Sequence, residues 1–142
     1  MRPVVVDTGP LVAYFDRDDH DHAGVHAWFA GQASKHRLLT TEAVVTETTH
    51  LLDFNVAVQT AFLAWAARAM VVTAVPQAVY EELAAWMNGY TKVPMDFADA
   101  TVLWLYRETR EAQILTLDQR GFGVFRLPGQ GKKRPATVPL PG

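Results

Sequence analysis

Apolar and polar positions along the chain follow two rhythms, short β-branched runs and longer stretches repeating every 3.6 residues, and their order sets the expected elements. Pro3 to Val6 is a β-branched run closed by Asp7-Thr8-Gly9-Pro10, the pattern of a buried strand feeding a helix. Proline suits the first helical position, so the helix is expected from Pro10, with Leu11, Val12 and Phe15 on its apolar face. A polar loop from Asp16 to His22 leads into a helix reaching about Gln32, with Val25, Trp28 and Phe29 inward. Leu38 to Thr40 predicts a second strand, and Thr41 or Glu42 opens a helix to about Leu52. Asn55 to Ala69 repeats Val58, Phe62, Trp65 and Ala66 at helical spacing, Met70 to Val75 reads as a strand, and Gln77 to Trp86 as a helix. Pro94 to Arg110 is the strongest helical stretch, followed by strands at Ile114 to Leu117 and Val124 to Leu127.

Strands alternating with helices predict an α/β domain, a central parallel sheet of four to five strands flanked by helices. After Pro128 the composition turns to Gly, Pro and Lys, so the domain is expected over residues 1–128 and a tail without a core of its own over 129–142. With 142 residues and 49% hydrophobic content the chain suits one sizeable core, which excludes disorder. The absence of cysteine excludes disulfides, a thiol nucleophile and thiolate metal ligands, and fits a cytoplasmic protein. The opening apolar run is cut at Asp7, short of signal-peptide or membrane-spanning length.

Four carboxylates resist local explanation. Asp7 and Asp118 each follow a strand, where an open α/β sheet presents residues to its ligand crevice. A helix starting at Pro10 puts Gly9, not Asp7, at the cap, whereas Asp118 can also simply start the turn Asp118-Gln119-Arg120-Gly121. Glu47 stands three residues after Val44 and four before Leu51, and Asp99 stands between Met95 and Val102-Leu103, so both are acids in apolar stripes. Asp96 has equal claims to cap the helix and to join the acids. Converging carboxylates repel one another unless a cation neutralises them, and an all-oxygen set suits Mg²⁺ or Mn²⁺. The chemistry this points to is phosphodiester hydrolysis. A net charge of -2 argues against nucleic acid as a partner, but setting Asp7, Glu47, Asp96, Asp99 and Asp118 aside leaves ten acids against thirteen bases.

The segments Val5-Val6-Asp7-Thr8-Gly9-Pro10-Leu11, Val44-Val45-Thr46-Glu47-Thr48-Thr49-His50-Leu51-Leu52, Pro94-Met95-Asp96-Phe97-Ala98-Asp99-Ala100 and Leu115-Thr116-Leu117-Asp118, with Phe122 behind, occur in that order. Together they resemble the PIN-domain family of metal-dependent ribonucleases, most closely the VapC-type toxins of toxin–antitoxin pairs, over Val4 to about Leu127. The resemblance implies that Asp7, Glu47, Asp99 and Asp118 form the catalytic acidic site and hold Mg²⁺, or Mn²⁺ as a substitute. It implies Asp96 as an accessory acid and Thr116 and Thr8 as contributing hydroxyls. It further implies an RNA substrate, a homodimer, and an antitoxin protein lying across the groove and bringing a basic side chain to the acids. Where relatives often carry a basic residue and a glycine after the Leu-Leu pair, this chain has Asp53-Phe54-Asn55.

Other signals have plainer readings. The acid-rich Asp16–His22 loop lacks the glycine and distal glutamate of a calcium loop. Trp28, Trp65, Trp86 and Trp104 fall in separate helical segments, as core residues do. Gly129-Gln130-Gly131-Lys132-Lys133 is no phosphate loop, since no Ser or Thr follows a Gly-Lys pair; Lys132, Lys133 and Arg134 can touch an RNA backbone or merely solubilise the tail. The alternatives are a housekeeping nuclease of the same family, an RNA-binding relative without catalysis, and a phosphoacceptor receiver module. The last needs adjacent acids after its first strand and a lysine after its last, and the chain offers Val6-Asp7 and no lysine between Lys92 and Lys132.

Overall fold

The protein is described from a computed structural model covering residues 1–127 and 133–140. Strand β1 (Arg2–Val6) leads through α1 (Thr8–Phe15) and α2 (His22–Gln32) to β2 (His36–Thr41). Helices α3 (Glu42–Leu51) and α4 (Val56–Ala69) lead to β3 (Val71–Thr73), and α5 (Tyr80–Asn88) and α6 (Phe97–Glu108) to β4 (Gln113–Leu115), after which α7 (Gln119–Val124) follows. The four strands form one all-parallel sheet in the order β3-β2-β1-β4. Val4, Val5 and Val6 of the central strand are fully buried, as a strand covered on both faces requires.

Several ends differ from what the pattern predicts. Helix α1 starts at Thr8, two residues ahead of Pro10, so proline sits inside the first turn, where its missing N–H still leaves no bond unmade. Helix α6 starts at Phe97, because Asp96 caps it; Pro94 and Met95 lie outside. Residues 77–79 form a single 3-10 turn before α5 begins at Tyr80. The expected last strand over Val124–Leu127 is absent: Asp118 caps α7 instead, and only Leu127 forms a bridge, antiparallel, with Lys133. Two glycines and a short length hid this helix, since local propensity argues against it and only the capping carboxylate favours it.

The tryptophans are core residues as expected: Trp28, Trp86 and Trp104 are buried, and Trp65 packs against Tyr14, Phe15 and Phe29. Of the tail, Pro128 to Lys132 and the last two residues lie outside the described residues. Residues 136–138 lie along the outer edge of β4, where the Ile114 amide donates to the Ala136 carbonyl at 2.8 Å and the Val138 amide to the Ile114 carbonyl at 2.8 Å. Val138 joins the main core. Among the described residues no helix is long and apolar enough to cross a membrane.

Candidate active site

The chain runs outward from β1 through β2 to β3, then returns to place β4 on the other flank of β1. The order therefore reverses beside β1, and the crevice outside the carboxyl ends of β1 and β4 is where an open α/β sheet receives a ligand. That strand order also differs from the 2-1-3-4-5 arrangement of receiver modules.

Asp7 stands at this point. Its amide extends the ladder to the Leu115 carbonyl at 2.9 Å, and its side chain is buried. It holds the cap position of α1 by backbone geometry, but its carboxylate caps nothing. Instead the Thr116 hydroxyl donates to Asp7 Oδ2 at 2.8 Å, and Thr116 Oγ1 in turn accepts the Asp118 amide at 2.9 Å. One hydroxyl thus ties together two acids that are 111 residues apart in the chain. Burial pushes the Asp7 carboxyl up to about 6, opposed by the Thr116 hydroxyl and the Thr8 amide and reinforced by the charges of Glu47 and Asp118.

Asp99 arrives on the first turn of α6. The Asp96 side chain accepts the Asp99 amide at 2.8 Å and the Asp99 side chain accepts the Asp96 amide at 3.1 Å, a reciprocal capping box made with aspartate where glutamate or glutamine is usual. Desolvation pushes the Asp99 carboxyl up to about 8; the Asp96 amide opposes the shift, and the charges of Asp96 and Asp7 add to it. The turn is held to β2 by a 2.8 Å hydrogen bond between the hydroxyls of Thr41 and Thr101, and Thr41 also caps α3 by accepting the Val44 amide. Helices α3 and α6 therefore share one anchor at the end of β2.

Glu47 is not on the buried stripe that its spacing predicts. That stripe is Val44, Thr48 and Leu52, whereas Leu51 is 50% exposed and Glu47 half-buried beside it. The pair lies one step round the helix, on the wall of the cleft, and the Glu47 charge bears on Asp7. Asp118 is exposed and caps α7, accepting the Gly121 amide at 2.8 Å. A Cβ at position 121 would collide with that carboxylate, so glycine permits the close approach.

The result is a cleft of about 480 Å³ that gathers Asp7, Glu47, Asp96, Asp99 and Asp118 with Thr8 and Gly9. Thr116 lies beneath, bonded to Asp7. Asp19 and Asp21 of the loop after α1 also line it, and sequence reasoning passed them over as a solvated loop. The Asp19 side chain serves a turn, its Oδ1 accepting the Asp21 amide at 2.8 Å, and the Asp21 carboxylate lies 3.4 Å from the His20 ring. The available signal was the density of acids directly after a helix that begins at the crevice. No Lys, Arg or His lines the cleft among the described residues.

These donors fit a hard divalent cation. All are oxygens, the two most desolvated carboxyls have raised pKa values, and the buried Thr8 hydroxyl beside Asp7 has no hydrogen-bond partner. Among the described residues no three acids or histidines are placed to ligate one ion together. Mg²⁺ does not require such a cage, since it commonly takes one or two carboxylates and completes its shell with water and substrate phosphate.

Thr116→Val removes a donor to a buried carboxylate and an acceptor for the Asp118 amide while keeping the shape. It is expected to cost about 2 kcal/mol of stability at pH 8. The loss should shrink at pH 5, where Asp7 is protonated; denaturant titration at the two pH values measures both.

The chain is similar to known proteins over most of its length. Ribonuclease VapC26 of Mycobacterium tuberculosis is 30% identical over 132 residues, covering 91% of this chain and 96% of that protein. The crystal structure of Mycobacterium tuberculosis VapC20, a sarcin-ricin loop cleaving toxin, has the same fold at a TM-score of 0.71 and 21% identity, covering 93% of this chain and 99% of that one. The PIN domain model matches residues 4–126, a span that takes in every acid of the cleft, and the chain belongs to the PIN-domain family.

Proposed function

We propose that the protein is a divalent-metal-dependent endoribonuclease, working with Mg²⁺ or Mn²⁺, and the toxin of a type II toxin–antitoxin pair. The observation that carries this reading is the convergence of Asp7, Glu47, Asp99 and Asp118, with Asp96 beside them, on one cleft at the switch point of the sheet. Family membership and the ribonuclease relative support it. The toxin assignment rests on the likeness to VapC proteins, and with it come a cytoplasmic location, a homodimer and an inhibitory antitoxin whose basic side chain competes for the acids.

A divalent cation bound here would supply charge neutralisation and Lewis acidity at the scissile phosphate. The protein's own part is orientation and exclusion. The Thr116 hydroxyl donates to the Asp7 carboxylate and its oxygen accepts the Asp118 backbone amide, so it holds the Asp7 side chain and the Asp118 backbone at a preset spacing. Asp7, Glu47, Asp99 and Asp118 would be the holding residues, and the buried, unpartnered Thr8 hydroxyl beside Asp7 is a further oxygen that an ordered water could partner. Desolvation raises the Asp99 carboxyl, whose Oδ2 accepts the Asp96 amide, so a cation bound there would stabilise its charged form. Asp96 already serves as the cap of α6, so Asp96→Asn should reduce cleavage less than Asp7→Asn.

The deciding experiment is cleavage of total RNA by the purified protein with Mg²⁺, with Mn²⁺ and in chelator, followed by sequencing of the new ends. Discrete cleavage sites that vanish in chelator are expected; undiminished cleavage after thorough metal removal would overturn the reading. Glu47→Gln keeps the side-chain shape and removes one charge from the cleft wall. It should weaken cleavage roughly tenfold and shrink the rise in melting temperature on adding Mg²⁺. Equal Mg²⁺-induced rises in wild type and variant would remove Glu47 from the site.

A further inference from the structure

The opposite end of the sheet carries an electrostatic counterpart to the acidic cleft. Arg2 at the start of β1, Arg107 near the end of α6, and Lys133 and Arg134 of the returning segment line a concavity of about 410 Å³, with the Tyr106 and Thr109 side chains in its wall and Glu111 as its one acid. Its four cations come from three separate parts of the chain.

Two of these parts are held in place by backbone bonds. The Leu127 amide donates to the Lys133 carbonyl at 2.9 Å, the Tyr106 hydroxyl accepts the Ala136 amide at 2.9 Å, and the Ala136 carbonyl accepts the Ile114 amide at 2.8 Å. Lys133 and Arg134 therefore project from a pinned segment. Glu111 has φ 56°, in the left-handed region, and its carbonyl accepts Arg2 Nε at 3.1 Å, which orients the guanidinium and leaves its terminal nitrogens free of protein partners among the described residues. Arg107 is engaged elsewhere: it forks onto Glu82 at 2.8 and 3.2 Å and lies over the Trp86 ring. Arg2, Lys133 and Arg134 form no ion pair among the described residues.

We infer that this concavity is an exosite for the phosphates of an RNA strand whose scissile bond lies in the acidic cleft. The inference rests on the ribonuclease reading. A cleft with seven carboxylates and no base offers a polyanion no attraction of its own beyond what a cation supplies, so backbone affinity must come from fixed positive charge elsewhere. From Arg2 to Asp7 is five residues of extended chain, about 17 Å at the rise of a parallel strand. An RNA of several nucleotides can reach both ends; a dinucleotide confined to the cleft cannot.

The test uses the full chain carrying Lys133→Gln with Arg134→Gln, both exposed, and separately Arg2→Gln. Each is assayed for cleavage of a long RNA and of a dinucleotide in Mg²⁺, and for long-RNA binding by fluorescence anisotropy in chelator at several salt concentrations. The double variant should raise KM for the long RNA about tenfold at unchanged kcat and leave dinucleotide cleavage unchanged. Its log-affinity against log-salt slope should flatten by about 1.4, two single-strand phosphate contacts at about 0.7 each. Arg2→Gln should move the same quantities about half as far. Wild-type behaviour of both variants on long RNA overturns the exosite, as does an equal loss on both substrates. Tighter binding of polyglutamate than of RNA by the wild type, lost in the double variant, also overturns it and makes the concavity a seat for acidic peptide. If the wild type cleaves neither RNA but shows the salt-dependent binding difference, the exosite stands and the ribonuclease reading falls.

Discussion

Asp7→Asn and Asp99→Asn are each expected to abolish RNA cleavage, with losses of roughly a hundredfold or more, while the protein stays folded. Asparagine keeps the shape of aspartate and can still accept the Thr116 hydroxyl at position 7 or the Asp96 amide at position 99. What it removes is a carboxylate from a place where several acids repel one another and burial strips part of their hydration. Full Mg²⁺-dependent activity in both variants, measured on the RNA that the wild type cleaves, would show that the cleft is not the active site.

The second large effect is on stability against pH, measured in chelator. A carboxyl whose folded pKa lies above its unfolded value binds its proton more tightly in the folded state. It therefore stabilises the fold below the unfolded pKa, and this contribution is lost as pH rises through the folded pKa. For Asp7 the window runs from 3.8 to about 6, and for Asp99 it extends to about 8. The wild type should thus lose stability between about pH 4 and pH 8. Asp7 accounts for about 3 kcal/mol of the fall, from a shift of about two pKa steps at 1.36 kcal/mol each. Asp7→Asn should flatten the lower half of the curve and make the variant the more stable protein at pH 8. Mg²⁺ should restore the wild type at pH 8 far more than the variant, because a ligand that binds only the folded state shifts unfolding by mass action. Thermal melts at pH 5 and pH 8, with Mg²⁺ and with chelator, read every arm; a wild-type stability that rises from pH 5 to pH 8 in chelator would contradict the burial argued for Asp7.

The same acids illustrate why a carboxylate can carry a local role and a shared one at once. Asp96 caps α6, Asp99 closes the capping box and Asp118 caps α7, so each satisfies backbone donors that would otherwise be orphaned. Capping uses one oxygen of each group: Asp96 Oδ1, Asp99 Oδ2 and Asp118 Oδ1. The other oxygen remains for the cleft. The capping reading and the site reading of Asp118 and Asp96 are therefore compatible, although from the sequence they compete for the same residue.

Chain order and residue type determined a good deal by themselves. The β-branched run before Asp7, the helical repeats and the alternation of the two specify a parallel α/β sheet, because burial on both faces needs continuous apolar strands and crossover helices. Acids at strand ends and near apolar helix faces were enough to single out Asp7, Glu47, Asp96, Asp99 and Asp118 as candidates, and the fold brings all five to one cleft. Only the tertiary structure decided how these groups are held. Period alone resolves a helix face to about one residue's angular step, so it put Glu47 on the apolar stripe of its helix, and the packing of α3 sets it on the cleft wall instead. The link from Thr116 to Asp7 joins residues at the ends of two strands, and nothing local to either predicts it. Asp19 and Asp21 entered the cleft because α1 is short enough to leave its following loop at the same crevice, and Lys133 and Arg134 became a pinned basic wall because the returning segment found the open edge of β4. In each case the deciding contact spans residues far apart in the chain, and such contacts exist only once the sheet has fixed which ends lie together.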